Sequence, residues 1–352
     1  MKREHGVVSA TDALRDLDSF DTVVDVRSES EYAEDHIPRA ISCPVLTDAQ
    51  RSEVGTLDRQ QSSFEARRRG APMVARNIAR HLEERFAQMP PDWSPLVYCW
   101  RGGQRSGAMT HFLARVGWRP RQLEGGYRAY RRAVMAELES LPATLTFCVI
   151  CGTTGSGKSR LLQQLATAAA QVLDLEALAR HRGSVLGSLP QEPQPAQKYF
   201  ETLVWDALRG FDAARTVFVE SESRKVGNVR VPDALLARMR ESGCVRLDVP
   251  LPARVRLLRD EYAHFERDIG GLMAQLDCLV ELHGHQRVTA WKAMAQAGEW
   301  DRLVQELLSQ HYDPAYQRSI ARNFRQAAEA RRLAIASDDA ADYAAAAREL
   351  AA

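Results

Sequence analysis

The sequence predicts an α/β protein of two domains, residues 1–140 and 141–352, the second a parallel-sheet domain with a helical C-terminal part. Three observations predict this. Short apolar strands alternate with stretches of helical spacing. A Gly-x4-Gly-Lys-Ser loop stands between one such strand and a helix. Pro142 separates a first set of strands and helices from the set that contains this loop.

The elements follow in order. Residues 22–26 (Thr-Val-Val-Asp-Val) read as a buried strand ending in an acid, 29–35 as a short helix and 36–40 as a turn. Val74, Ile78, Leu82 and Phe86 recur every four residues and predict a helix over 72–89. Leu96-Val97-Tyr98 is a second strand, leading into a loop at Cys99, with a helix over 108–116. Residues 123–126 form a turn and 127–140 a helix. Past Pro142, a strand over 145–150 feeds the glycine-rich loop and a helix over 158–170 leaves it. Further strands are expected at 172–176, 216–220 and 245–249. From about 253 the pattern is mostly helical and closes with an alanine-rich helix at 339–352. Residues 190–197, rich in Pro and Gln, are the clearest irregular stretch, and no internal repeat is visible.

With 352 residues, 45% hydrophobic and 26% charged, the chain has room for two cores and the balance of a soluble protein. No apolar run approaches the ~18 residues of a membrane span. Met1-Lys2-Arg3-Glu4-His5 has no apolar stretch behind it, so no signal peptide is expected. Six cysteines, at 43, 99, 148, 151, 244 and 278, show no disulfide framework, and a reducing, cytoplasmic setting is expected. The net charge of +1 points to no partner, but its distribution is uneven. Residues 1–60 hold 7 Lys/Arg against 13 Asp/Glu, and residues 61–140 hold 14 against 7. The second block includes Arg67, Arg68, Arg69, Arg76, Arg80, Arg119, Arg121, Arg128, Arg131 and Arg132, a residue type suited to phosphate and to base stacking. A solvated, locally paired surface is the alternative.

Two loops carry chemistry. In Tyr98-Cys99-Trp100-Arg101-Gly102-Gly103-Gln104-Arg105-Ser106, a cysteine ends a strand and precedes a helix. Consecutive backbone N–H groups and a helix N-terminus stabilise a thiolate and attract an anion. Cys99 is therefore the candidate nucleophile. Gly102 and Gly103 let the backbone curl, and Arg101 and Arg105 supply positive charge. The other loop is Gly152, Thr153, Thr154, Gly155, Ser156, Gly157, Lys158 and Ser159, a complete P-loop. Its amides would wrap a phosphate, Lys158 would neutralise terminal oxygens and Ser159 could hold Mg²⁺. Whether the ligand is a nucleotide or a diphosphate ester stays open. Asp174 and Glu220 each end an apolar strand and are candidate metal-side acids. Glu222 and Arg224 lie in a polar segment, residues 220–227, on the expected ligand edge. Residues 194–198 are either a substrate loop or an inert connection. Cys148 and Cys151 lack a second pair and read as core, and His283 and His285 alone do not make a metal site. No resident metal and no tightly bound cofactor are expected.

Residues 25–32 and 36–40, the Cys99 loop, and Leu123-Glu124-Gly125-Gly126-Tyr127 together resemble rhodanese domains, whose persulfide cysteine stands where Cys99 stands. Common single-domain sulfurtransferases have Cys-x4-Arg. This chain has Cys-x5-Arg, a wider loop similar to those of rhodanese-fold phosphatases and able to seat a phosphate-bearing donor. An N-terminal rhodanese-like domain followed by a P-loop NTPase-like domain resembles the bacterial tRNA 2-selenouridine synthase family. Residues 53–57, 174–176, 181–184, 219–227 and 311–316 also match. The resemblance implies conversion of wobble 2-thiouridine in tRNA to 2-selenouridine through an S-geranyl intermediate, with geranyl diphosphate and selenophosphate as substrates. It implies selenium carried on Cys99 as a selenylsulfide, selenophosphate bound by Arg101 and Arg105, and selenophosphate synthetase as supplier of the donor. The prenyl diphosphate would lie in the P-loop, and the basic block would meet the tRNA backbone. The runner-up is a rhodanese-type sulfurtransferase or Cys-dependent phosphatase coupled to an ATP-binding kinase-like domain. A nucleotide-gated binding module is a third class, disfavoured by the intact Cys99.

Overall fold

The computed structural model describes residues 6–184, 186–189 and 192–351, with the backbone alone at Arg325. Pro190 and Gln191 of the expected irregular stretch, and Ala352 of the expected closing helix, lie outside the described residues. The chain divides into two compact units, Met1–Glu137 with Glu201–Asp206, and Leu138–Phe200 with Ala207–Ala352.

The first unit is built on a five-stranded sheet of β1 (Val7–Val8), β2 (Thr22–Asp25), β3 (Ala40–Ser42), β4 (Pro95–Tyr98) and β5 (Arg121–Leu123). Its order is β1-β5-β4-β2-β3 and every pairing is parallel. Every residue of β4 is buried, as a central parallel strand covered on both faces requires. Val24, Val26, Ile78, Phe86, Trp93, Val97, Met109 and Leu113 share one core. The expected turn at 36–40 runs directly into β3, a three-residue edge strand too short to show a period. The helix expected over 72–89 is Ser63–Glu84, started earlier by the Ser62 cap on Glu65 N–H and continued through Pro72. The preceding helix, Asp48–Gln60, buries no residue completely, so it has little apolar stripe to betray it.

The second unit carries β6 (Thr146–Cys151), β7 (Gln171–Leu173), β8 (Thr216–Glu220), β9 (Lys225–Val226), β10 (Val229–Arg230), β11 (Gly243–Asp248) and β12 (Arg331–Ala334). Five form a parallel sheet in the order β12-β11-β6-β8-β7, and β9 and β10 form a separate antiparallel ribbon. Ile150, Leu161, Leu165, Phe218, Leu247, Leu333 and Tyr343 pack as its core. A helical cluster follows, with Phe265, Leu272, Leu276, Trp291, Leu303 and Leu307 at its centre.

The C-terminal part is mostly helical, as expected, with one strand, β12, that returns to pair with β11. Two expectations are corrected here. The strand at 172–176 stops at Leu173, where Asp174 caps the helix Leu175–Ala179 by accepting from Ala177 N–H at 2.8 Å. Pro142 does not end the preceding helix but lies within Gly126–Thr144, in its last turn, where its missing N–H forfeits one hydrogen bond and leaves the turns before it intact. Among the described residues no helix is long and apolar enough to cross a membrane.

Candidate functional site

Each sheet presents one loop at the C-terminal end of a central strand, the position where open parallel sheets bind ligands. β4, between β2 and β5, ends at the Cys99 loop; β6, between β8 and β11, ends at the P-loop.

Cys99 is 3% exposed, and its Sγ accepts a hydrogen bond from Ser106 Oγ at 3.2 Å. The helix Gln104–Val116 starts just beyond, so its free N–H groups lie on the cysteine side. The loop is clamped from below by residues 123–127. Tyr127 N–H donates to Cys99 O at 2.8 Å and Arg128 N–H to Trp100 O at 3.1 Å. The backbones approach so closely that a Cβ on Gly126 would stand 2.2 Å from Cys99 O, and Gly126 has φ +55°. Only glycine fits there. Gln122 Nε2 holds the other edge, donating to Gly102 O at 2.6 Å and to Ser106 Oγ at 3.1 Å.

The rhodanese-like signature at 25–27 frames this loop. Arg27, 1% exposed, forms an ion pair with the fully buried Asp25 at 2.6 Å and donates to Asp35 O. Its guanidinium lies 4.0 Å from the centre of the Tyr127 ring, whose other neighbour is Trp100 at 5.2 Å. A buried pair with its remaining valences met in this way fixes geometry, and removing one partner costs about 3–5 kcal/mol.

The two loop arginines differ. Arg101 is exposed, with no ion pair among the described residues. Arg105 is tied to Glu31 at 2.9 Å, and Glu31 also meets Arg51 at 3.0 Å. Burial pushes the Glu31 pKa up, but the hydrogen bond and charge of Arg105, with the Ser28 amide and Arg51, bring it below the ordinary value. Arg105 therefore enters any anion complex from a fixed position with part of its charge already met. In the basic block, Arg68 pairs with Glu65, Arg69 with Glu53 and Arg131 with Glu201, while Arg76, Arg80, Arg119, Arg128 and Arg132 are exposed.

The P-loop runs from Gly152 to Ser159 and opens on a cleft of about 750 Å³. Lys158 Nζ donates to Gly152 O at 3.0 Å, reaching across the loop. Ser159 Oγ donates to Glu176 Oε2 at 3.1 Å. Tyr316 OH accepts from Gly152 N–H at 2.6 Å, and Tyr343 OH donates to Ser156 O at 3.2 Å. Arg254 braces the far side through Thr154 O and Asp313.

Five acids stand near this loop, among them Glu261, which lines the cleft beside Arg160. Asp174 caps its helix and lines the cleft; Glu220, 1% exposed, accepts from Glu176 N–H at 2.8 Å, and its Oε2 has no partner among the described residues. Glu176 and Glu222 line the cleft. Burial, then the neighbouring carboxylates, push Glu220 well up, and burial with the adjacent Glu176 pushes Glu222 up to about 8. Burial also raises Glu176, against the pull of Lys158. Arg224 is exposed, pairs with Asp233 and does not line the cleft. Gln194 holds the ribbon, donating to Ala179 O and Val226 O. Among the described residues no group of three or more His, Cys, Asp or Glu is arranged to hold a metal ion.

The Glu222 shift has a measurable consequence. Folded protein keeps this proton to about pH 8, whereas an ordinary glutamate loses it near 4.5. The folded state binds the extra proton between those values, so this group's contribution to stability falls as pH rises through the window. Glu222→Gln should match wild type near pH ~5 and exceed its Tm by several degrees near pH ~8.5. Parallel melting curves across the range would refute it.

The sequence passed over several cleft residues or named them without roles. Arg182 lies 4.9 Å from the Tyr262 ring, and its buried Nη1 has no hydrogen-bond partner among the described residues. His311 and Tyr316 line the opposite wall. Their signal was the local match at 181–184 and 311–316, which carries no chemistry by itself.

Comparison with known proteins matches residues 9–133 to the rhodanese-like domain model and 145–270 to the tRNA 2-selenouridine synthase AAA domain model. A tRNA 2-selenouridine synthase of Nitrosomonas europaea is 34% identical over 68% of this chain and 63% of its own length. Those of a Sulfurovum species and Shewanella loihica are each 30% identical, covering 86% and 90% of this chain and 89% and 91% of theirs. With an N-terminal rhodanese domain, a P-loop domain and relatives matched over most of its length, the chain belongs to the tRNA 2-selenouridine synthase family.

Proposed function

We propose that this protein converts 2-thiouridine at the wobble position of tRNA to 2-selenouridine in two steps. The P-loop holds geranyl diphosphate while the thiocarbonyl sulfur is alkylated. Selenium from selenophosphate then replaces the S-geranyl group at C2: the Cys99 thiolate takes the phosphoryl group as the P–Se bond breaks, the freed hydroselenide adds at C2, geranylthiol leaves, and water releases phosphate from the cysteine.

The observation that carries the prenyl half is a narrow apolar pocket continuous with the P-loop cleft. The two share Thr154, Ser184, Leu258, Tyr262 and Tyr312. Beyond them the pocket is walled by Leu186, Phe265, Leu272, Trp300, Leu303 and Leu308. A diphosphate cradle leading into an aliphatic and aromatic slot suits a ligand charged at one end and hydrocarbon at the other. Lys158, the loop amides and Arg182 face the charge that grows on the departing diphosphate. If Mg²⁺ takes part, Ser159 Oγ and Glu176 are adjacent oxygen donors, and diphosphate oxygens and water would complete the set.

For the selenium half, Cys99 has the features a nucleophile needs: a hydroxyl donor on its sulfur, a helix N-terminus beside it, and Arg101 open for the donor's phosphate. The exposed arginines of residues 61–140 supply backbone contacts for tRNA.

The test is nucleoside mass spectrometry on 2-thiouridine tRNA incubated with the protein and geranyl diphosphate, with and without selenophosphate. S-geranyl-2-thiouridine is expected without selenophosphate and 2-selenouridine with it. Unchanged nucleosides together with ATP turnover would move the assignment to the kinase-coupled sulfurtransferase or phosphatase. The pocket has its own test. Leu303→Phe should raise the KM for geranyl diphosphate about 10-fold, the order of one misfitted apolar group, and leave inorganic pyrophosphate binding unchanged. Equal KM values in variant and wild type would place the hydrocarbon elsewhere.

A further inference from the structure

S-alkylation of a thiouridine has a proton to dispose of. The thiocarbonyl sulfur attacks C1 of the prenyl group, the C1–O bond breaks, and its electron pair leaves with the diphosphate. The C2–S bond becomes single and C2=N3 becomes double, which requires N3 to give up its hydrogen. One proton is therefore released per transfer, and an acceptor positioned at the reaction lowers the barrier.

The cleft's carboxyl groups are committed elsewhere. Glu222 holds its own proton to about pH 8, Glu176 accepts from Ser159 Oγ at 3.1 Å, Asp174 caps its helix and Glu261 meets Arg160 at 3.9 Å. Among the described residues two histidines line the cleft, and His181 Nδ1 accepts from Gly183 N–H at 3.1 Å, so its neutral ring carries the proton on Nε2 and has no free lone pair; His311 is the other. The turn Leu308–Tyr312 is a single π-helical turn, a distortion that often marks function. It carries His311, which lines the cleft and is 8% exposed. His311 Nδ1 lies 2.9 Å from His283 Nε2, with the rings edge to face at 5.0 Å. His283 is half-buried at the end of the helix Val280–His283.

Resting on the prenyl-transfer reading above, we propose that His311 accepts the N3 proton of thiouridine during alkylation and that His283 relays it to water. With the shared proton on His311 Nδ1, the other ring nitrogen, Nε2, offers a lone pair. Protonation at Nε2 lets the Nδ1 proton pass to His283 Nε2, and His283 then releases its Nδ1 proton to solvent. His311 ends neutral, with its proton on Nε2, and the pair resets by the reverse tautomer shift. Burial, then the partner imidazole and Arg318, hold the His311 pKa down; burial and Arg287 do so for His283. Both rings are thus uncharged and receptive near neutrality. The groups facing the pair are Arg287, Arg318 and the Tyr312 ring, with Lys158, Arg182, Glu176 and Glu222 along the same cleft.

The test is single-turnover geranyl transfer to 2-thiouridine tRNA by the full chain, across pH, with geranyl diphosphate binding measured in parallel. Wild type should lose rate on the acid side as the pair protonates. His311→Gln should transfer about 10²-fold more slowly with unchanged geranyl diphosphate affinity, and the acid limb should vanish. Its deficit should narrow as pH rises, because a thiouridine already ionised at N3 needs no acceptor. His283→Asn should cost less, about 10-fold, and displace the acid limb. Wild-type rate and acid limb in His311→Gln would overturn the proposal, as would loss of geranyl diphosphate binding, which marks a merely structural role. Absence of geranyl transfer by wild type would instead sink the prenyl reading, and this proposal with it.

Discussion

Replacing Cys99 by serine is expected to abolish 2-selenouridine formation, by at least ~10³-fold as for other lost nucleophiles, while S-geranyl-2-thiouridine accumulates. The substitution is mild for the fold. Serine nearly matches cysteine in size, and its Oγ can still accept from Ser106 Oγ, which bonds the sulfur at 3.2 Å. What is lost is a polarisable sulfur nucleophile able to attack the selenophosphate donor. Nucleoside mass spectrometry with both donors checks it. Normal 2-selenouridine in Cys99→Ser would remove the cysteine from the reaction. Loss of both products would show that the two steps share it.

Lys158→Ala is expected to act on the other step. Its ammonium reaches across the loop to Gly152 O and stands among the amides that would hold the diphosphate. A hydrogen bond to a charged group is worth about 1.5–3 kcal/mol, so geranyl diphosphate binding should weaken by about 10–100-fold. Geranyl transfer should fall further, about 10²–10³-fold, because charge on the diphosphate grows as the C–O bond breaks. tRNA supplied already S-geranylated should still gain selenium at the wild-type rate. Equal loss on both substrates would mean that the P-loop serves both steps, and full activity on unmodified 2-thiouridine tRNA would exclude it from either.

Much of the architecture was legible because it depends on local chemistry. The run at 216–220 is an inner strand buried from Val217 to Glu220 and reads as one, since an apolar stretch ending in an acid has few other uses. The P-loop is legible because its pattern is a run of consecutive residues in one turn between a strand and a helix. Less local features were hidden. β12, Arg331–Ala334, buries only Leu333 and shows no strand pattern until β11 pairs with it. Arg105 reads as a free cation until the fold brings up Glu31 from 74 residues away. Asp174 reads as a strand-end acid until the chain turns there and uses it as a cap.

By itself, then, the sequence determined two parallel-sheet domains, the thiol loop and the phosphate loop, because each is specified by neighbours along the chain. Only the tertiary structure decided which acids crowd Ser159, that an apolar slot adjoins the cradle, and that His311 meets His283. Those groups come from segments up to 160 residues from the P-loop. Their burial, shifted pKa values and mutual distances arise only when packing strips water from them and sets their partners in place.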